Sequence, residues 1–239
     1  MLKSIVKSMI RQTGFELKHF DPSRSEDATL MAVFAAHNVN LVFDVGASSG
    51  IFGRVLREAG YRGRIVSFEP LSSVREQLLE NSRKDSLWEV APRAAIGSED
   101  GEIEIHIAGN SHSSSVLEML ESHSDAAPDS AYVGSEKTPL RRLDGMAPDY
   151  LREDSRLFIK IDTQGYEDQV LKGAEHLLPK AVGLQLELSL VPLYKGQCLF
   201  VEMVARCKAL GFNLWTMSPV FSDSRTGRLL QVDAIFFRD

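Results

Sequence analysis

Cysteine is nearly absent. Cys198 and Cys207 are the only two in 239 residues, and no CxxC spacing joins them. That excludes a disulfide-stapled secreted scaffold and fits reduced thiols in the cytoplasm. No run approaches the roughly 20 uninterrupted apolar residues that a membrane span needs. Met1–Ile10 has neither a long apolar stretch nor a small-residue cleavage site, so it does not read as a signal peptide. Positive charge is also short. Lys plus Arg total 27 against 33 for Asp plus Glu, a net charge of −6. This argues against a protein that coats nucleic acid by charge alone. Internal repeats and low-complexity blocks are missing too, which excludes a solenoid.

What is present suffices for a full core: 44% of residues are hydrophobic and 25% charged. The length fits one α/β domain with a short extension. The expected division is an N-terminal helical extension over 1–38 and a ligand-binding domain over 39–239. Within the extension, Leu2, Ile5, Val6, Met9 and Ile10 share a helical face, with Lys3, Lys7 and Arg11 elsewhere. Such a face docks on its own domain or on a twin subunit in a homodimer. The third alternative is peripheral contact with a membrane surface through residues 1–12. His19–Asp27 reads as a connector. Leu30, Met31, Val33 and Phe34 then mark a second helix.

Strand-like and helix-like segments alternate from there. The strand candidates are Val39–Val45, Arg64–Glu69, Leu87–Ala91, Leu157–Asp162 and Gly183–Leu188. Several are near-continuous apolar runs, as in strands covered on both faces. Helical stretches around Ile51–Ala59, Ser72–Arg83 and Tyr166–Leu178 lie between them. This order predicts βαβ crossovers and a mostly parallel, doubly wound sheet. Ile103, Ile105 and Ile107 alternate with polar neighbours, the period of a strand with one wet face. Asn110–Pro139 reads as a long polar loop, either a lid, a binding loop or an insertion. Phe212–Met217 and Leu229–Phe237 predict a terminal antiparallel hairpin. Trp88 and Trp215 fall on strands and are expected in the core.

Chemistry concentrates where strands end. In Val42-Phe43-Asp44-Val45-Gly46-Ala47-Ser48-Ser49-Gly50 a buried strand runs into a glycine-bearing turn. Ligands of doubly wound sheets bind at such ends. Asp44 would repel a pyrophosphate but attract an ammonium group, such as the one on the methionine end of S-adenosylmethionine. The next strand ends in Phe68-Glu69-Pro70. A carboxylate one βα unit after the glycines suits ribose hydroxyls.

These motifs, with Ala95-Ile96-Gly97, Leu143-Asp144, Lys160-Ile161-Asp162-Thr163-Gln164-Gly165-Tyr166-Glu167 and Glu187, resemble the FkbM family of S-adenosylmethionine-dependent methyltransferases. The resemblance runs from about Val39 to the C-terminus. It implies a class I, Rossmann-like, seven-stranded sheet and S-adenosylmethionine as cofactor. Asp44, Gly46, Ala47, Ser48, Gly50, Glu69 and Pro70 would hold the methionine and ribose parts, with Ala95 and Ile96 near the adenine. The acceptor would be a hydroxyl on a sugar, glycan or polyketide-type small molecule. Two departures stand out: Gln164 replaces the family's usual acidic residue, and Ser48-Ser49 replace its usual Asn-x start of the glycine loop.

Methyl transfer from a sulfonium needs chiefly an aligned acceptor oxygen and a group to take its proton. Asp162 is the candidate for that role, with Lys160 and Glu187 as a polar floor. Asp162 and Glu187 are too few ligands for a divalent cation, so no metal is assigned. His112 is a further candidate base, and Tyr166 and Tyr194 are candidate acceptor-pocket residues. The alternatives are an NAD-dependent oxidoreductase and a non-catalytic module that retains the fold.

Overall fold

The structure, a computed structural model, describes residues 2–15 and 25–238. The expected connector therefore falls largely outside the described residues. Helix α1 (Leu2–Gln12) leaves Val6 and Met9 exposed. Helix α2 (Glu26–Ala36) starts at Ser25, whose side chain accepts the Ala28 N–H. Then come β1 (Leu41–Val45), α3 (Ile51–Glu58), β2 (Arg64–Phe68), α4 (Ser72–Ser82), β3 (Trp88–Val90), β4 (Ala95–Ile96) and β5 (Gly101–Ala108). The short helix α5 (Glu121–Ser124), β6 (Tyr132–Arg141), α6 (Leu143–Met146), β7 (Leu157–Ile161) and α7 (Glu167–Lys172) follow. The chain closes with β8 (Ala181–Ser189), α8 (Phe200–Ala209), β9 (Asn213–Ser222) and β10 (Leu229–Phe237).

Seven strands form one sheet in the order β3-β2-β1-β7-β8-β10-β9. The first five are parallel, and β10 runs antiparallel to both β8 and β9. This is the expected mostly parallel sheet with its antiparallel hairpin. All residues of β1 and β7 are buried, which accounts for their unbroken apolar reading. One face packs Phe43, Phe68, Ile159, Ile161 and Leu186 beneath α7 and α8. The other packs Val42, Ile65 and Phe158 beneath α2 and α3. Phe34 of α2 seats on Phe158 with ring centroids 4.7 Å apart.

Three expectations change. First, Asn110–Pro139 is not loop throughout, because Tyr132–Arg141 forms β6, antiparallel to β5 and parallel to β4 in a second sheet. Only Thr138 and Leu140 of that strand are buried, so it carries almost no apolar signal. Second, the expected helix Tyr166–Leu178 stops after Lys172. There the Asp144 carboxylate accepts the backbone N–H groups of His176 and Leu177, replacing the helical ladder. Third, Trp215 is not core: it sits on edge strand β9 with 49% of its surface exposed, whereas Trp88 is buried under Gly53 of α3.

The second sheet comes closest to the helix layer where Gly97, after β4, meets Gly173. A Cβ on Gly173, just past α7, would lie 1.8 Å from the Gly97 carbonyl oxygen, with no flexible side chain to yield. Gly173→Ala is therefore expected to cost about 2 kcal/mol or more, read as a lower urea midpoint with unchanged slope.

Candidate active site

Three strand ends meet at one place. The Gly46 and Ala47 N–H groups both donate to the Phe68 carbonyl, at 3.0 and 3.1 Å. The Asp162 N–H donates to the Val45 carbonyl at 3.0 Å. The turn after β1 is thus tied to β2 on one side and β7 on the other. Gly46 has φ +78°, and a Cβ there would lie 1.9 Å from the Asp162 carbonyl oxygen. Only glycine fits so close an approach.

Glu69 joins the two turns. Its Oε2 accepts the Ser48 N–H at 2.8 Å and its Oε1 accepts the Leu71 N–H at 2.9 Å. Each oxygen keeps a lone pair for a further donor. Burial pushes its carboxyl up to about 7, against the pull of those two N–H groups.

Beneath the turn lies a charged row. Register places Ser67, Asp44 and Lys160 side by side on β2, β1 and β7, sharing one sheet face. Lys160 Nζ sits 3.4 Å from Asp44 Oδ1 and donates to Asp162 Oδ2 at 3.2 Å. Its ammonium also lies 5.3 Å from the Phe52 ring centroid. Burial opposes its charge, yet Asp162, Asp44 and Asp233 hold the ammonium above the ordinary lysine range. Burial raises the Asp44 carboxyl, and Lys160 counters that rise. Asp44 is fully buried, and its Oδ1 takes no hydrogen bond although it faces the ammonium.

The turn after β7 is built around Gln164 and Glu167. Gln164 has φ +53° and Gly165 φ +94°. Glu167 Oε1 accepts the Thr163 and Gly165 N–H groups at 2.9 and 3.1 Å, which fixes the turn. Gln164 Nε2 donates to Asp162 Oδ1 at 2.8 Å and to Glu187 Oε2 at 2.7 Å. Gln231 of β10 donates to the same Glu187 oxygen at 2.8 Å. Burial raises the Glu187 carboxyl well above its usual range, reinforced by the charges of Asp162, Asp233 and Glu167.

An open cleft of about 640 Å³, counting its mouth, lies over these strand ends. Of the expected site residues, Gly46, Ser48, Glu69, Pro70, Ala95, Ile96 and Asp162 line it. Asp44, Ala47, Gly50, Lys160 and Glu187 do not; Asp44 and Lys160 lie buried behind the wall. His112 is on the wall, where its Nδ1 meets Ser48 Oγ at 3.1 Å. Tyr166 lines the cleft as well, whereas Tyr194 is fully buried. Sequence reasoning missed Gln164 as a contributor, along with Ser115, whose hydroxyl donates to the Gln164 carbonyl at 2.7 Å. Among the described residues, no group of three or more His, Cys, Asp and Glu side chains is arranged to hold a metal.

The buried carboxyls make a sign prediction. Burial pushes Glu167 up to about 7, so the folded state holds a proton there that the unfolded chain releases near its ordinary range. Its contribution to stability is therefore full below about pH 4.5 and is lost as pH rises through about 7. Glu167→Gln keeps the acceptor oxygen and removes the titration. It should flatten the fall of Tm between pH 5 and 8 and raise Tm at pH 8 by a few degrees, read by calorimetry.

Several solved structures match the chain at low identity. TehB from Haemophilus influenzae is 10% identical with a TM-score of 0.45; the match covers 88% of this chain and 62% of that protein's length. Magnesium protoporphyrin IX methyltransferase from Synechocystis PCC 6803, solved with bound S-adenosylmethionine, is 11% identical over 99% of this chain and 97% of its own, at a TM-score of 0.47. Fibrillarin from Aeropyrum pernix, solved with natively bound S-adenosyl-L-methionine, is 11% identical over 83% and 66%, at 0.44. No curated protein sequence matches the chain. The family model described as the methyltransferase FkbM domain matches residues 44–214, the stretch that contains the glycine turn, Glu69, the Lys160–Glu167 string and Glu187. The chain therefore belongs to the FkbM methyltransferase family, which sets aside hydride transfer as its chemistry.

Proposed function

We propose that this methyltransferase moves a methyl group from S-adenosylmethionine to a hydroxyl of a small-molecule acceptor of the sugar, glycan or polyketide type. The residues present fit the donor. Gly46 leaves a cradle that a Cβ would fill, and Glu69 keeps acceptor capacity on both oxygens. Phe68, Leu71, Val74, Ile96 and Ile105 form an apolar wall of the kind a flat base packs against. When bound, the donor supplies an electrophilic methyl on a positively charged sulfur.

The chain's own groups do the rest. Glu69 would accept the ribose hydroxyls, and Ala95 and Ile96 would flank the base. Asp44, from beneath the turn, would contribute negative charge toward the methionine portion. Asp162 would receive the acceptor hydroxyl and its proton, with Lys160 and Glu187 fixing its charge and position. The observation that carries this reading is that Asp162 lines the same cleft as Glu69 and the Gly46 turn. No described helix is long and apolar enough to cross a membrane. The two free thiols, Cys198 and Cys207, support a cytoplasmic location.

Methyl-labelled S-adenosylmethionine, incubated with hydroxyl- and amine-bearing acceptors, should place its label on oxygen. Label found on nitrogen alone would overturn the O-methylation. Asp162→Asn is expected to lower kcat about 100-fold or more while the calorimetric donor Kd stays within twofold. Undiminished turnover would remove Asp162 from that role. Because Glu69 titrates near 7 and accepts best when ionised, donor affinity should rise from pH 6 to 8 and then level off. In Glu69→Gln that rise should disappear.

A further inference from the structure

The amide of Gln164 spends every polar atom it has. Its two Nε2 hydrogens go to Asp162 Oδ1 and Glu187 Oε2, at 2.8 and 2.7 Å. Its Oε1 accepts the Tyr194 hydroxyl at 2.8 Å, and its backbone carbonyl accepts the Ser115 hydroxyl at 2.7 Å. The residue is 8% exposed, with a φ of +53° in the turn after β7. We propose that Gln164 is a positioning residue that ties Asp162, on the cleft wall, to Glu187 behind it, with Tyr194 fixing which end of the amide faces them. This rests on the reading of Asp162 as the group that receives the acceptor.

The chemistry explains the residue type. Only a primary amide of this length offers two hydrogens to two carboxylates while presenting an oxygen to a phenol. A carboxylate at position 164 would have to be protonated to donate at all, and then could reach only one of the two. Turning the amide over would bring its oxygen against two carboxylate oxygens, and Tyr194 holds it the other way. Tyr194 is itself held in place, fully buried with its hydroxyl also 3.2 Å from the Ser113 carbonyl. The clamp reaches further on each side. Asp162 Oδ2 is held by Lys160, and Glu187 Oε2 takes a second hydrogen from Gln231. Among the described residues, no hydrogen bond reaches Glu187 Oε1. The charged groups facing the pair are Asp44 on β1, Lys160 on β7, Glu167 on α7 and Asp233 on β10, with Tyr194 beyond β8. Lys160 is the one cation among them.

The test uses Gln164→Leu, which fills the space without donors, and Gln164→Glu, which keeps the shape and adds charge. Asp162 and Glu187 are followed by carboxyl-carbon NMR titration, and methyl transfer is followed as a pH profile. Losing a hydrogen bond to each carboxylate favours their protonated forms. Both variants should therefore shift the pair's titration upward by about one unit, Gln164→Glu the more. The acid limb of kcat/KM should move with it, and kcat near pH 7 should fall about tenfold or more, while donor Kd stays within twofold. Tyr194→Phe should give a smaller shift in the same direction. Unmoved carboxyl titrations in both Gln164 variants would overturn the clamp, as would a loss of kcat equal at every pH. If the titrations shift but wild type methylates no hydroxyl, the clamp stands and the O-methylation fails.

Discussion

One buried ammonium conditions the whole site. Lys160 lies within ion-pair distance of Asp44 and Asp162, and its field reaches Glu69, Glu187 and Asp233. Charges in a sheet interior are costly unless paired. Register gives them no escape, because Asp44 and Lys160 are paired across β1 and β7 on the same face. The ion pair is thus set by strand alignment. The consequence is a cluster of carboxyls behind the cleft wall, organised around one positive charge. Such a cluster keeps Asp162 anchored on one oxygen by Lys160 and on the other by Gln164.

Backbone approach supplies the second constraint. The turn after β1 can be pinned to both neighbours because Gly46 has no side chain between it and β7. That pinning consumes the Gly46, Ala47 and Ser48 amides internally. These amides are not a free anion cradle of the kind a pyrophosphate uses. The cleft is lined instead by Glu69, by the apolar wall and by residues of the Ser111–Val116 segment. The segment is tied down: the Ser115 hydroxyl reaches the Gln164 carbonyl, and the Tyr132 hydroxyl reaches the Leu117 carbonyl.

Much of this was legible in the residues. Strands buried on both faces read as apolar runs, so the central sheet and its strand ends were visible. Glycine at position 46 and a carboxylate at 69 follow from the turn chemistry. Strand β6 was hidden because its alternate residues face water and Gly134 and Pro139 interrupt it. Asp44 read as a ligand group, and its pairing with Lys160 was not visible because the two are remote in sequence and meet through strand pairing alone. Gln164 showed only as a departure from a family pattern. Its four hydrogen-bond partners come from the 110s loop, the residue after β7, β8 and the residues after β8, and no local period connects them. Trp215 misled because an edge strand and a central strand share the same apolar spelling.

The most direct test of the central claim is the stability of Lys160→Met at two pH values, measured by urea unfolding. With the ammonium gone, Asp44 and Asp162 lose their counter-charge, so the loss should be about 3–5 kcal/mol at pH 7.5. Part of it should be recovered at pH 5, because burial raises the Asp44 carboxyl and Lys160 no longer counters that rise. An equal loss at both pH values, or none, would contradict the account.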